Sequence, residues 1–207
     1  MVTRSKSSQR WLKEHFSDEY VKRARADHFR SRAVYKLKEI DERDGLIKPG
    51  CRVVDLGAAP GGWSQYARQK VGKKGRVLAL DILDFESLSG VEFIRGDFTE
   101  DAVLEDLQAL LAETKVDLIL SDMAPNQSGI GAVDQPKAMY LAELALDMAY
   151  HSLAAGGAFL VKVFQGTGFD DYYRNVQTAF AKVVVRKPQA SRPRSREVYL
   201  LAKGFKN

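Results

Sequence analysis

Through the middle of this chain, short unbroken apolar runs alternate with longer amphipathic stretches. Five runs, CRVVDLG, GRVLALD, VEFIRGD, VDLILSD and GAFLVKVF, lie between residues 50 and 165 and are rich in Val, Leu and Ile. Runs apolar at consecutive positions suit strands buried on both faces of a sheet. Between them the spacing predicts helices over Ser64 to Lys70, over Asp101 to Glu113 with Leu104, Leu107 and Leu111 on one face, and over Pro136 to Leu153. Strand–helix alternation of this kind predicts a parallel, doubly wound α/β sheet with helices on both faces. After a further helix from Phe169 to Ala181, AKVVVRK and EVYLLAK are separated only by the Pro/Arg-containing loop PQASRPRSR, which predicts an antiparallel hairpin and seven strands in all. Ser31 to Asp41 reads as a basic amphipathic helix, and Ser128 to Gly131 as a flexible loop.

Composition narrows this picture. The 207 residues, 45% of them hydrophobic, suffice for one sizeable core and predict a single domain over 31–207 preceded by a basic arm over 1–30. Cys51 is the only cysteine, which excludes a disulfide framework or a cysteine-based zinc site and suits a reducing, cytoplasmic setting. No run has the length of a membrane span, and the first residues lack the apolar core of a secretory signal. A mitochondrial presequence is a weaker reading, because Glu14, Asp18 and Glu19 soon follow. The net charge of +5 divides unevenly: residues 1–38 carry +7, residues 182–207 carry +7, and the centre carries −9. Basic ends interleaved with Trp11, Phe16, Tyr20, Phe29 and Tyr35 suggest a polyanionic partner, nucleic acid first of all. Arg23, Arg25, Arg30, Arg32, Arg192, Arg194 and Arg196 are the candidate phosphate contacts.

The segment VVDLGAAPGGWSQYA is a strand, a glycine-rich turn and a helix start, an arrangement that brings backbone close to a ligand at the carboxyl end of the first strand. Alone, it suits a nucleotide-like cofactor or a tight turn with no ligand. Gly57, Gly61 and Gly62 present no side-chain obstruction, which makes Gly57 and Gly61 candidate cofactor contacts; their spacing is not that of a dinucleotide fingerprint, and no Lys-Ser/Thr pair follows them as in a phosphate-binding loop of the Walker type. Asp81, Asp97 and Asp122 close the second, third and fourth strands at the same sheet edge. A carboxylate in the position of Asp81 can accept from ribose hydroxyls, and one in the position of Asp97 from an adenine amine. Acidic surroundings tolerate a cationic sulfonium and repel a pyrophosphate, so the series points to S-adenosylmethionine.

Lys162 stands in GGAFLVKVFQG, an otherwise apolar strand. Burying an ammonium without partners is costly, so either the lysine reaches solvent by snorkelling or it meets carboxylates. Asp122 and Glu197 are the available partners, and Lys36 lies on the flank of the apolar face of its helix. Cytosine C5 chemistry would need a cysteine nucleophile, and Cys51 precedes the first strand. Asp122-Met123-Ala124-Pro125 is not the Asn/Asp-Pro-Pro-aromatic signature of exocyclic-amine enzymes. A hydroxyl acceptor is left.

In order, SRAVYKLKEID, VVDLGAAPGGWSQ, SDMAPN, LVKVFQG and SREVYL resemble the FtsJ family of ribose methyltransferases, most of all the bacterial members acting on large-subunit ribosomal RNA. The resemblance covers nearly the whole chain and implies a Rossmann-like class I S-adenosylmethionine-dependent methyltransferase. It implies a catalytic tetrad of Lys36, Asp122, Lys162 and Glu197, with Lys162 as proton acceptor, and cofactor contacts at Gly61, Trp63, Asp81, Asp97 and Asp122. It also implies that the acceptor is the 2′-hydroxyl of a uridine in the A-loop of 23S ribosomal RNA, within the large (50S) subunit. No metal and no membrane partner are expected, and a monomer is. Methylation of tRNA or an mRNA cap, and a non-catalytic assembly factor, are the alternatives.

Overall fold

The structure, a computed structural model, describes residues 18–111, 114–126 and 128–206, except the side chains of residues 101, 104 and 108. In chain order its elements are α1 (Glu19–Ala26), α2 (Val34–Asp44), β1 (Arg52–Leu56), α3 (Gly62–Val71), β2 (Arg76–Asp81), β3 (Val91–Arg95), α4 (Asp101–Leu111), β4 (Val116–Ser121), α5 (Gly131–Ser152), β5 (Leu153–Phe164), α6 (Phe169–Ala179), β6 (Phe180–Arg186) and β7 (Glu197–Phe205).

All seven strands form one sheet in the order β3-β2-β1-β4-β5-β7-β6. β7 alone runs antiparallel to its neighbours β5 and β6. The predicted hairpin is therefore present, but its second strand inserts between β5 and the first. Lys162 accordingly stands opposite Tyr199 on an interior strand, and not on an edge.

The alternating residues of each strand divide the core in two. On one face Val53, Val77, Leu118, Leu120, Leu160, Tyr199 and Leu201 pack with residues of α1, α2 and α3. On the other, Val54, Leu56, Leu78, Leu80, Ile119, Phe159 and Val161 pack with α4, α5 and α6. The chain is thus doubly wound, as the alternation predicted. Ligands of such sheets sit outside the carboxyl ends of the strands where strand order reverses, here between β1 and β4.

The start of α5 and the first residues of the domain depart from expectation for visible reasons. α5 starts at Gly131, a turn before Pro136, because Asp134 accepts from Ser128 N at 2.8 Å and Gly129 N at 3.0 Å and so organises the preceding loop. Part of the basic arm is helical. Asp18 caps α1 through Tyr20 N at 2.9 Å, and Val21 and Ala24 are buried against the domain. Residues 1–17 of that arm, with Trp11 and Phe16, lie outside the described residues, as does Glu113 at the expected end of α4.

Candidate active site

At the end of β1 the chain turns at Gly57, which has φ +76 and donates its N–H to Leu80 O at 2.9 Å. A Cβ there would lie 2.8 Å from Met123 Cγ and 3.0 Å from the Met123 backbone, so only glycine lets the loop pass the segment after β4. Asp81, ending β2, accepts Ala59 N and Leu83 N, each at 2.8 Å, and ties the loop to the next strand. Beside them opens a cavity of about 410 Å³ lined by Gly57, Asp81, Asp97, Asp122, Ile82 and Leu83, among others. Its size and its few polar groups among apolar walls suit a small-molecule ligand. One oxygen of Asp97 takes both Thr99 N and Thr99 Oγ1, at 2.9 and 2.7 Å, which leaves the other carboxylate oxygen for a ligand.

Four expected cofactor residues, Gly57, Asp81, Asp97 and Asp122, line this cavity; Gly61 and Trp63 do not. Gly61, at φ +96, faces Phe85 and Leu88, where an added Cβ would meet carbons at 3.0 and 3.1 Å. The Trp63 ring is 3% exposed, donates Nε1 to Ala33 O at 2.8 Å and packs 5.8 Å from the Tyr199 ring. Its side chain braces α2 against α3 and β7. What Trp63 can offer a ligand is its backbone N–H in the first turn of α3, where N–H groups lack an intrahelical acceptor.

A second cavity, of about 700 Å³, adjoins the first and shares Ala124 and Pro125 with it. Lys36, Lys162 and Glu197 line it, while Asp122 lines the smaller one. The expected tetrad is thus assembled, as two ion pairs. Lys162 Nζ lies 3.0 Å from Asp122 Oδ1 and donates to the Asp122 carbonyl at 2.6 Å; Lys36 Nζ lies 2.7 Å from Glu197 Oε1. Lys162 does not snorkel: its side chain is 7% exposed.

Sequence reasoning missed the group that joins these pairs. Tyr199, fully buried, donates its hydroxyl to Asp122 Oδ1 at 2.8 Å, and Lys36 Nζ sits 5.7 Å from its ring. The available signal was position: Tyr199 follows Glu197 by two residues, so both side chains emerge on the same face of β7.

Burial alone would raise the Asp122 pKa, but Lys162, Lys36 and the Tyr199 hydroxyl outweigh it and hold the carboxyl below its usual value. Glu197 follows the same pattern, with burial opposed chiefly by Lys36, and its pKa is also lowered. Asp55 is the contrary case. Burial pushes its carboxyl up to about 7, a bond from Ser64 opposes this, and nearby Asp122 and Asp81 add to it. Tyr66 and Lys70, which have the Tyr-x-x-x-Lys spacing of short-chain dehydrogenases, meet at Asp41, away from both cavities, at 2.8 and 3.2 Å.

The seven candidate RNA contacts separate into groups. Arg32, Arg192, Arg194 and Arg196 line the larger cavity. Arg32 also bonds Asp18 and the Ala190 carbonyl, joining α1 to the loop before β7. Arg23 and Arg25 are exposed on α1, and Arg23 pairs with Asp27 at 3.6 Å. Arg30 differs: its guanidinium donates to the carbonyls of Pro60, Glu86 and Ser87 and lies 5.8 Å from the Phe85 ring. That clamp fastens the β2–β3 loop over the glycine-rich turn, and the geometry gives Arg30 a structural part in place of a phosphate contact. Among the described residues, no group of three or more His, Cys, Asp or Glu is placed to hold a metal ion.

A protein described as ribosomal RNA large subunit methyltransferase E, from Stenotrophomonas maltophilia, is 65% identical over 204 residues, covering 99% of this chain and 97% of its own length. A protein of the same description from Xanthomonas oryzae is 62% identical over the same shares. A crystal structure assigned as a ribosomal RNA methyltransferase from Plasmodium falciparum superposes with a TM-score of 0.75 at 28% identity, covering 86% of this chain and 98% of that one. The family model for FtsJ-like methyltransferases matches residues 29–205, from the edge of α1 to the end of β7. By that match and those identities, the chain belongs to the FtsJ-like methyltransferase family.

Proposed function

We propose that this chain transfers the methyl group of S-adenosylmethionine to the ribose 2′-hydroxyl of a uridine in the A-loop of 23S ribosomal RNA, in the large ribosomal subunit. The observation that carries the reading is the Lys162–Asp122 pair at the junction of the two cavities, the lysine on one side and the carboxylate on the other. A methyl donor in the smaller cavity and a hydroxyl in the larger one would meet there.

The smaller cavity fits the donor. Asp81 supplies acceptors for ribose hydroxyls and Asp97 one for an adenine amine, while Asp122 adds a negative charge that suits a cation. When bound, S-adenosylmethionine supplies an electrophilic methyl group on a positively charged sulfur. The chain's own residues align the attacking oxygen and remove its proton. Lys162, with its Nζ held at the Asp122 carbonyl, accepts that proton. Glu197, steadied by Lys36 in the same cavity, orients the hydroxyl. Tyr199 keeps Asp122 in place.

Arg32, Arg192, Arg194 and Arg196, which line the larger cavity, would contact phosphates flanking the reacting nucleotide. Relatives named for the large ribosomal subunit support ribosomal RNA as the substrate. A cytoplasmic setting follows from that substrate and from the lone cysteine. The test offers the protein a radiolabelled donor with large subunits, free 23S RNA or tRNA and maps the labelled ribose. Label on one ribose of large-subunit RNA is expected; label on a base, or on tRNA alone, would overturn the reading.

A further inference from the structure

Asp55 is a charged residue that the chemistry above does not use. It lies at the penultimate position of β1, two residues before Gly57, and is wholly inaccessible. One carboxylate oxygen accepts from Ser64 Oγ at 2.5 Å, while the other, Oδ1, has no hydrogen-bond partner among the described residues. A buried carboxylate with an unsatisfied oxygen is costly unless it is neutral or a cation lies nearby.

Among the described residues, no ion pair reaches Asp55, and no cation contributes to its electrostatics. The adjacent strands β2 and β4 lead into Asp81 and Asp122, which are like charges. α3 contributes Ser64, and Tyr66 two residues on, which is spent on Asp41. Further along the same sheet face, Lys162 of β5 is held by Asp122, Lys36 of α2 by Glu197, and Tyr199 of β7 by Asp122. The place left for a compensating charge is the smaller cavity, bounded by Gly57, Asp81 and Asp122.

We propose that Asp55 holds a proton in the ligand-free protein, releases it when the cationic methyl donor binds, and takes one back as the neutral product forms, so that this carboxyl distinguishes donor from product. The inference rests on S-adenosylmethionine being the cofactor. S-Adenosylmethionine has a net charge of +1 and S-adenosylhomocysteine of 0. Transfer forms the oxygen–methyl bond, breaks the sulfur–methyl bond and passes the hydroxyl proton to Lys162, which returns it to solvent. The sulfonium charge disappears from the cavity that Gly57, Asp81 and Asp122 line, and uptake of one proton from solvent by Asp55 restores the balance. The raised Asp55 pKa, about 7, places this exchange near neutrality.

Calorimetric titration of both ligands between pH 5.5 and 7.5, in buffers of differing ionisation enthalpy, tests the idea. In the wild type, proton release should accompany binding of S-adenosylmethionine and not of S-adenosylhomocysteine. The affinity ratio of donor to product should rise with pH by at least about fivefold more than in Asp55→Asn. Ser64→Ala, which removes a bond favouring the carboxylate, should shift the midpoint to higher pH; a purely structural role for Ser64 would leave the midpoint where it is. Equal proton release for the two ligands, or an equal rise in Asp55→Asn, would overturn the proposal while leaving the cofactor reading intact. Failure of either ligand to bind at any pH would overturn the cofactor reading itself.

Discussion

Lys162 and Asp55 are charged groups placed where an apolar residue would serve stability better, and they resolve the conflict differently. Lys162 is compensated within the protein by Asp122, whereas Asp55 Oδ1 has no partner among the described residues. This difference predicts opposite pH dependences. The Asp122 pKa is lowered on folding, so its contribution is present above about pH 4 and lost as pH falls through the folded value. Tyr199→Phe removes a bond that favours the Asp122 carboxylate and should destabilise the protein by about 1–3 kcal/mol. It should also move the onset of acid unfolding, followed by circular dichroism, to higher pH. Asp55 has a raised pKa, so ligand-free stability should decline as pH rises from about 4 to 7, by on the order of 4 kcal/mol for a shift of this size. In Asp55→Asn, denaturant titrations across that window should lose the decline attributable to this residue.

Among the elements, the loops at the carboxyl end of the sheet divide the work of the basic residues. Arg30 fastens the β2–β3 loop to the glycine-rich turn, while Arg192, Arg194 and Arg196 line the larger cavity. Arg30→Ala should therefore raise KM for the methyl donor and leave the salt dependence of RNA binding unchanged. Replacing the three later arginines together by Ala should flatten the plot of log affinity against log salt, by up to about 0.9 for each phosphate no longer neutralised. Binding isotherms at several salt concentrations distinguish the two sets, and a flattened slope in Arg30→Ala would count against the clamp. Within β5, Leu160 is fully buried; Leu160→Ala should cost about 2–5 kcal/mol in chemical denaturation.

Across the whole molecule, the features legible in the sequence were those written in local pattern. Buried strands announced themselves as apolar runs, strand-end acids followed from the parallel order, and Lys162 stood out because its neighbours are apolar. Features set by distant partners were not legible. The Arg30 clamp joins residues 56 positions apart, and the bond from Tyr199 to Asp122 spans 77. The inward turn of the Trp63 ring depends on Ala33, and the insertion of β7 between β5 and β6 leaves no trace in either strand's own sequence. Helix α1 was hidden because the basic residues of the arm mask a short apolar pair, Val21 and Ala24.

Methyl transfer at the Lys162–Asp122 junction is the step on which the function of this chain rests. Single-turnover transfer of labelled methyl to large subunits by Lys162→Ala, with donor binding measured on the same preparation, tests it most directly. Donor binding should be retained and methyl incorporation slowed by about 10²–10⁴-fold. Incorporation at close to the wild-type rate would contradict it.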